Sequence, residues 1–308
     1  MAIGSRLRHV IESQQFTRSL LEDLLARAEE IKGEPHRFSG RLNGRVMAAL
    51  FYEPSTRTRL SFEAAMLRLG GQTMGTDNAR EFSSAAKGET LEDTIRIVSG
   101  YADVIVLRHN EEGAAKRAAA VSTVPVINAG DGPGQHPTQA LLDLYTIRDE
   151  LGRIDGLKIA MVGDLANGRT VRSLTYLLSK FRQIKIWFVA PPQVAMRDDL
   201  KAHLDEHHIP WEETQDLDAV LPEVDVVYQT RIQKERFVDP AEYAALKGIY
   251  RIDDRALGLM RKYAIVMHPL PRVDEIAPEV DADPRAAYFR QARNGLHIRM
   301  ALLDRLLS

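Results

Sequence analysis

Residues 55–59 read Ser-Thr-Arg-Thr-Arg and gather three hydroxyl groups and two guanidinium groups within five positions. They lie where an apolar run that predicts a strand, residues 45–52, gives way to the start of a predicted helix. The N–H groups and positive dipole at a helix start favour an anion such as phosphate, and Arg57 can bind phosphate through two hydrogen bonds. For this string alone, a capped helix with solvated arginines is the simpler interpretation.

Four further segments combine polar or charged side chains with glycine or proline. Residues 83–90 have small side chains and one lysine before a predicted helix, which is typical of a loop. Residues 163–169 join a predicted strand to a predicted helix, but match neither the dinucleotide-binding pattern nor the P-loop pattern. Residues 136–139 read His-Pro-Thr-Gln, with a proline suited to the first position of a helix. Residues 268–272 read His-Pro-Leu-Pro-Arg.

The elements that must position these segments alternate between apolar strands and amphipathic helices. The predicted strands are residues 45–52, 102–107, 124–128, 158–164, 184–189, 225–230 and 264–268. The first predicted helix begins at Ser19 as its N-cap, and the last, residues 295–307, has an apolar stripe that must be buried. Such alternation predicts an α/β fold with two doubly wound parallel sheets.

Composition limits the class of protein more than its function. The chain has 308 residues, of which 44% are hydrophobic and 27% are charged, as in a globular protein of two domains. Its formal net charge of −2 gives no global positive field for nucleic acid or an anionic membrane. It has no cysteine, which excludes a disulfide, a thiolate nucleophile and a cysteine-ligated zinc site within the chain.

Three of these segments, STRTR, HPTQ and HPLPR, occur in an order that resembles the aspartate/ornithine carbamoyltransferase family nearly end to end. Leu270 is typical of the family members that use aspartate, because the ornithine enzymes usually have cysteine there. Residues 231–236 (RIQKER) also resemble the aspartate-binding loop of the family. The resemblance therefore implies transfer of a carbamoyl group from carbamoyl phosphate to L-aspartate, in pyrimidine biosynthesis, without a cofactor or metal.

The same resemblance implies the domain boundaries. Residues 1–136 are expected to form a carbamoyl phosphate-binding domain, to which a C-terminal helix (residues 287–308) returns. Residues 137–286 are expected to form an aspartate-binding domain, and its first helix, residues 137–151, links the two.

The resemblance also assigns carbamoyl phosphate to ten residues, Ser55, Thr56, Arg57, Thr58, Ser83, Arg108, His136, Gln139, Leu270 and Pro271. In this assignment Thr58, Arg108 and His136 donate hydrogen bonds to the carbamoyl oxygen. Gln139 accepts a hydrogen bond from the carbamoyl amide. Lys87 completes the expected catalytic set.

Four residues are expected to bind aspartate, namely Lys87, Arg169, Arg231 and Gln233. Ser83 and Lys87 match family residues that reach into the neighbouring subunit's site, which implies a homotrimer with shared active sites. Glu53 matches a glutamate that pairs with the counterparts of Arg169 and Arg236 when the domains close. Its other interpretation is an ordinary surface glutamate.

The sequence leaves two alternative functions open. One is a carbamoyltransferase that uses ornithine or a modified amino acid, and the other is a nucleotide-binding or regulatory α/β protein without transferase activity. A regulatory chain or a dihydroorotase is a possible partner. The first residues lack the apolar core of a signal peptide, and no apolar run approaches the length of a membrane span, so the predicted location is cytoplasmic, with neither nucleic acid nor a membrane as partner.

Overall fold

A computed structural model describes residues 7–76, 88–232 and 246–308. The chain divides into two compact units. Unit 1 comprises Met1–Leu142 with Arg293–Ser308, and unit 2 comprises Asp143–Ala292. Each unit has a parallel sheet flanked by helices, which confirms the predicted α/β class with two doubly wound sheets.

The sheet of unit 1 has four parallel strands in the order β2-β1-β3-β4. Their bounds are β1 (Val46–Phe51), β2 (Gln72–Thr76), β3 (Val104–His109) and β4 (Val126–Asp131). β3 and β4 are buried at every position, as expected for a parallel sheet that is covered on both faces. The helices of this part of the chain are α1 (Arg18–Gly33), α2 (Thr56–Arg68), α3 (Leu91–Val98) and α4 (Ala114–Val121).

The first helix begins two residues earlier than its sequence suggests. The Thr17 backbone is extended (φ −87°, ψ 158°) and its side chain accepts a hydrogen bond from the Leu20 N–H. Ser19 therefore lies inside the helix, and the prediction of Ser19 as N-cap was wrong. The predicted apolar stripe is nevertheless correct, because Leu21, Leu24, Leu25 and Ala28 are all buried.

Two long helices, α5 (Pro137–Leu151) and α10 (Tyr288–Leu307), each begin in one unit and end in the other. The C-terminal half of α10 packs on unit 1, as the fold prediction required. Met300 and Leu303 of the predicted stripe are buried there together with Leu302, and burying each such side chain contributes about 1.5–3 kcal/mol. Leu296 and Leu307, also placed in that stripe, are only half-buried.

The sheet of unit 2 has five parallel strands in the order β7-β6-β5-β8-β9. Their bounds are β5 (Lys158–Val162), β6 (Lys185–Val189), β7 (Trp211–Thr214), β8 (Val226–Gln229) and β9 (Ile265–Met267). The flanking helices are α6 (Arg169–Leu178), α7 (Asp198–Glu206), α8 (Leu217–Val220) and α9 (Asp254–Leu259). One buried cluster between this sheet and its helices includes Val162, Val189 and Val227.

The strands that the sequence did not predict, β2 and β7, both lie at a sheet edge. Neither contains a fully buried position, whereas the other two outermost strands, β4 and β9, are buried throughout and form isolated bridges with Val10 and Ala286. Glu212 and Glu213 occupy the middle of β7 and form ion pairs with Lys185 and Lys201. These two strands therefore lack the apolar runs that identified the buried strands.

In the described part of the chain, no helix has the length and apolar character needed to cross a membrane.

Replacing Asp304, which anchors α10 to unit 1, is expected to destabilise the protein. Asp304 is buried, and it accepts a hydrogen bond from Arg41 Nε at 2.8 Å and lies 3.6 Å from Arg27 Nε. Asp304→Ala should lower the free energy of unfolding by about 1–3 kcal/mol, measured by chemical or thermal denaturation. The matched control is Glu30→Ala, since Glu30 is an exposed partner of the same Arg27 and should change stability by less than about 0.5 kcal/mol. Equal effects of the two variants would contradict an anchoring role.

Candidate functional site

The loop after β1 and the end of β3 lie at the carboxyl edge of the unit 1 sheet, where the strand order reverses. The chain places β2 on one side of β1 and β3 on the other. Loops that leave a parallel sheet in opposite directions at such a point open a crevice for ligands. Phe51 in β1 is in register with Arg108 in β3, so the segment that carries residues 53–58 begins beside Arg108.

The start of α2 presents the predicted anion-binding donors. Ser55 is the N-cap, and in the described part of the chain its side chain makes no capping hydrogen bond. Thr58 is buried, whereas Thr56 and Arg57 are exposed. Partial desolvation lowers the pKa of the Arg57 guanidinium, which still keeps its charge at neutral pH. This helix start can therefore offer N–H groups, hydroxyls and one cation to an anion.

Arg108 is held by two neighbouring elements. Its Nη1 donates to the carbonyl oxygen of Ala129 in β4 at 3.1 Å, and its Nη2 donates to Glu53 Oε1 at 2.9 Å. The side chain is 9% exposed, so these contacts fix a guanidinium at the sheet edge with little freedom to rotate. The resemblance assigned Glu53 to Arg169 and Arg236, whereas here its carboxylate pairs with Arg108 of the same unit.

His136 and Gln139 lie at the start of α5, after a loop that Asp131 shapes. Asp131 Oδ1 accepts from the Gln135 N–H at 2.8 Å, and Oδ2 accepts from the Gly113 N–H at 3.1 Å. His136 and Gln139 are both buried, and the His136 carbonyl accepts from the Gln139 N–H at 3.0 Å. The imidazole and the amide therefore share one helical turn, as their spacing predicted.

Unit 2 has a second crevice where its own strand order reverses, between β5 and β8. A cleft opens there, and its lining includes Gly163, Thr230, Arg231, Lys247 and Glu275. Gly163 has φ +110°, and a Cβ at this position would lie 2.4 Å from the Thr230 carbonyl oxygen. Only glycine lets the two strand ends approach this closely. The cleft places Arg231, a predicted ligand of aspartate, at the edge of the sheet.

Arg169 is the first residue of α6 and is half-buried. The loop before it is shaped by Asp164, whose Oδ1 accepts from the Asn167 N–H at 3.0 Å and from Asn167 Nδ2 at 3.2 Å. Asp164 is itself buried. The segment that superficially suggests a nucleotide loop is thus a turn held by a carboxylate, and it presents Arg169 at a helix start, where the helix dipole favours an anion.

The 268–272 segment is fixed through its histidine. His268 Nδ1 accepts from the Leu270 N–H at 2.8 Å, so Nε2 must carry the proton that His268 shares with Glu275 Oε1 at 2.8 Å. Leu270 has φ +54°, a left-handed conformation that is uncommon for a leucine. Because the Leu270 N–H is bound to a buried ring, the loop maintains this conformation and carries Leu270 and Pro271 in a fixed geometry.

A buried chain of hydrogen bonds supports this loop from inside unit 2. Asp143 accepts from the Tyr228 hydroxyl at 2.7 Å and from Gln291 Nε2 at 2.7 Å. Gln291 Oε1 in turn accepts from the His268 N–H at 2.8 Å. Burial, and next the Asp143 charge, raise the pKa of Tyr228 well above its ordinary value, so the tyrosine stays a hydrogen-bond donor.

The predicted site residues that the structure describes fall into two groups. Unit 1 carries Glu53, Ser55, Thr56, Arg57, Thr58, Arg108, His136 and Gln139, and unit 2 carries Arg169, Arg231, Leu270 and Pro271. Within each unit they lie at or near the carboxyl edge of the sheet or at a helix start. Four further predictions, Ser83, Lys87, Gln233 and Arg236, lie outside the described residues.

Sequence reasoning missed the acidic residues that orient these groups. Asp131, Asp143, Asp164 and Glu275 each accept at least two hydrogen bonds within their units. Asp143 had a usable signal, because it is a carboxylate within the apolar face of a predicted helix, and such a group must be paired when buried. Of the other three, Asp131 ends β4, and Asp164 and Glu275 lie in loops, where acidic residues are common.

Two family descriptions match the chain in succession. Residues 8–149 match the carbamoyl-P binding domain of aspartate/ornithine carbamoyltransferase, and residues 155–306 match its Asp/Orn binding domain.

Similar proteins cover nearly the whole chain. The chloroplastic aspartate carbamoyltransferase of Oryza sativa subsp. japonica is 61% identical, over 100% of this chain and 87% of the relative. The aspartate carbamoyltransferase catalytic subunit of Methanocella arvoryzae is 52% identical, over 98% and 97%. Among solved structures, Trypanosoma cruzi aspartate transcarbamoylase in complex with carbamoyl phosphate and aspartate superposes with a TM-score of 0.92 at 43% identity, covering 98% of this chain and 97% of that one.

We call the two ring hydrogen bonds of His268, to the Leu270 N–H and to Glu275, the His268 clamp. Substitution of Glu275 tests whether this clamp holds the loop of residues 268–272. Burial alone raises the pKa of the Glu275 carboxyl, but the hydrogen bonds from His268 and from backbone N–H groups outweigh burial and hold the pKa below its ordinary value. In Glu275→Gln an amide N–H group faces these donors, and an unsatisfied buried donor costs about 1–3 kcal/mol. We expect a lower melting temperature at pH 7, measured by calorimetry.

The pH dependence of this effect has a defined sign. A carboxyl with a depressed pKa stabilises the fold above the ordinary glutamate pKa of about 4.3 and loses that contribution as the pH falls through the folded-state value. The stability gap between wild type and Glu275→Gln should therefore narrow at acidic pH. Glu279→Gln, at an exposed position nearby, is the control and should leave the melting temperature unchanged. A gap that widens on acidification would rule out this account.

Proposed function

The chain belongs to the aspartate/ornithine carbamoyltransferase family, and we propose that unit 1 binds carbamoyl phosphate and unit 2 binds aspartate. The enzyme transfers the carbamoyl group of carbamoyl phosphate to the amino group of L-aspartate. The products are N-carbamoyl-L-aspartate and phosphate, in the committed step of pyrimidine biosynthesis de novo. One observation supports a separate anion site in each unit. Each unit has cationic side chains at or beside the sheet edge where its own strand order reverses.

Carbamoyl phosphate binds at the start of α2 in this proposal. Its phosphate accepts hydrogen bonds from Ser55, Thr56 and Arg57, which surround a helix start with uncapped N–H groups. The buried guanidinium of Arg108 provides a second cation at the same sheet edge. The two negative charges of the phosphate are thereby balanced by the guanidinium groups of Arg57 and Arg108, and no metal ion is needed.

The carbamoyl group is polarised by Thr58, Arg108 and His136, all of them buried in unit 1. Donors aimed at the carbonyl oxygen stabilise the charge that develops when the carbon becomes tetrahedral, and one such donor contributes about 10²–10³ in rate. Gln139 accepts from the carbamoyl amide, as does the loop at Leu270 and Pro271. The His268 clamp holds the loop of residues 268–272 rigidly. A rigid loop suits this role, because a group orients the substrate effectively only when its own position is fixed in advance.

Aspartate binds through its two carboxylates to Arg169 and Arg231, with Gln233 and Lys87 as further ligands. Arg169 stands at a helix start, beside N–H groups that also favour anions, and Arg231 follows β8 at the edge of the unit 2 sheet. A cationic acceptor such as ornithine is repelled by the same residues. The family's use of leucine at position 270 for the aspartate enzymes supports the same acceptor.

The chemical step needs no separate base. The amine nitrogen of aspartate forms a bond to the carbamoyl carbon, the bond from that carbon to the phosphate oxygen breaks, and the electron pair leaves with the phosphate. The departing phosphate takes the proton that the amine loses. No carboxylate is among the residues proposed to bind the two substrates, so the phosphate oxygens are the proton acceptor in this proposal.

Removing one aspartate ligand is expected to weaken aspartate selectively. Arg169→Gln should raise the KM for aspartate by about 10- to 150-fold, which corresponds to the 1.5–3 kcal/mol of a hydrogen bond to a charged group. The KM for carbamoyl phosphate should change little. Carbamoyl-aspartate formation by the purified enzyme measures both, and ornithine in place of aspartate should give no product.

The matched control for this experiment is Arg172→Gln. Arg172 lies one turn further along α6 and forms an ion pair with Asp199, away from the proposed ligands. Unchanged aspartate kinetics in Arg169→Gln, or equal effects in the two variants, would remove Arg169 from the binding site. Product formed from ornithine would instead contradict the choice of acceptor.

The enzyme acts as a homotrimer whose sites are shared between subunits, with Ser83 and Lys87 supplied by the neighbour. Lys87→Ala and His136→Ala should each be nearly inactive alone. When equal amounts of the two are unfolded together and refolded as mixed trimers, about one quarter of the sites combine an intact His136 with an intact Lys87 from the next subunit. Activity should recover to that fraction. If the mixture stays as inactive as its components, Lys87 acts within its own chain.

The cytoplasmic location stays a prediction, and it differs from the chloroplastic location given in the plant relatives' names. The relatives named as catalytic subunits support a search for a regulatory chain or a dihydroorotase that copurifies with this protein.

A further inference from the structure

Three side chains at the carboxyl end of α7 have the arrangement of a metal site. His203, Glu206 and His207 each offer one donor atom, and these atoms lie within 4.8 Å of one another. The two imidazole rings are one helical turn apart, with 4.0 Å between their centroids. Histidines four positions apart on a helix share one face and can bind the same ion. This is the one such group within residues 7–76, 88–232 and 246–308, and it contains no residue of the proposed substrate site.

The hydrogen bonds of His203 leave its Nδ1 as the acceptor atom of the ring. Ser179 Oγ donates its single hydrogen to the Tyr176 carbonyl oxygen at 2.9 Å. The contact of 3.0 Å between Ser179 Oγ and His203 Nε2 is therefore one in which the ring donates. With the proton on Nε2, the neutral ring has its lone pair on Nδ1.

His207 is oriented by a different partner with the same result. Its Nδ1 lies 2.8 Å from the carbonyl oxygen of His203. A carbonyl can only accept, so the proton is on Nδ1 and the lone pair is on Nε2. Histidines that bind metals usually donate their second ring N–H to a carbonyl or another acceptor, which fixes the ring and the tautomer. Both rings meet this requirement before any ion is bound.

The electrostatic surroundings also favour a cation. His207 is the C-cap of α7, and the unpaired carbonyls at a helix end form the negative pole of its dipole. Glu206 adds a carboxylate on the exposed side.

We propose that His203, Glu206 and His207 bind a divalent transition-metal ion such as Zn²⁺ or Ni²⁺. Two imidazole nitrogens and one carboxylate suit these borderline ions, whereas Mg²⁺ and Ca²⁺ prefer a shell of oxygen ligands. The ion joins the last turn of α7 to its C-cap. His203 also packs edge-on against Tyr176 of α6, with 4.7 Å between ring centroids, so the bound ion braces the α6–α7 pair against local unfolding. The site serves stability and takes no part in carbamoyl transfer.

Titration of the untagged, chelator-treated full-length enzyme with NiCl₂ tests this site by isothermal calorimetry. Wild type should bind one ion per chain and should gain melting temperature when the ion is added. His207→Ala should weaken binding by at least about 10-fold, because loss of even an outer partner of a ligand costs 10- to 100-fold. Glu206→Gln should weaken it less. Both positions are exposed, so the variants should fold and retain carbamoyl transfer.

The matched control is His208→Asn. His208 is the adjacent exposed histidine, but it has φ +53°, a conformation that asparagine tolerates, and it is not part of the group. This variant should bind Ni²⁺ like wild type, and MgCl₂ should give no heat at this site. Absence of Ni²⁺ binding to wild type overturns the proposal. So does equal Ni²⁺ affinity in wild type and His207→Ala, which would assign the ion to another histidine.

Discussion

The carboxylate of Asp143 is the constraint on which the organisation of unit 2 depends. A carboxylate removed from water must be matched by donors, and here Tyr228 of β8 and Gln291 of α10 provide them. Gln291 then orients the His268 backbone, and His268 orients Leu270. One buried charge thus sets the positions of a helix, a strand and the loop proposed to hold the carbamoyl group. Networks of this kind specify one arrangement, because every alternative leaves a group without its partner.

Both units attract a negatively charged substrate by the same arrangement of groups. Each reactant is an anion, and the chain as a whole carries a formal net charge of −2, so attraction must be local. Both sheets reverse their strand order at an internal strand, which opens a crevice at the carboxyl edge. Helix starts and arginines beside those crevices supply the positive potential. Acidic residues such as Asp131 and Asp164 fix the loops by accepting hydrogen bonds from backbone N–H groups.

The sequence predicted the buried strands and the site segments because both leave strong patterns. Buried parallel strands are apolar runs, and the donors at residues 55–59 follow one of them directly. The edge strands β2 and β7 were missed, since half-exposed strands lose that pattern. Ser19 was predicted as the N-cap because Glu22 follows three residues later, as in a capping box, whereas Thr17, the actual N-cap, has Leu20 at that position. The pairing of Glu53 with Arg108 joins residues 55 positions apart, and such a contact follows from strand register, which one sequence does not determine.

The hydrogen bonds that hold His268 determine whether its ring can transfer protons. Histidine is the side chain best suited to carry protons near neutral pH, and His268 stands in a motif beside the proposed reaction centre. Both of its ring nitrogens are committed, one to a backbone N–H and the other to a carboxylate. If Nδ1 took up a second proton, it could no longer accept the hydrogen bond from the Leu270 N–H. This imidazole therefore has a structural role and does not transfer protons.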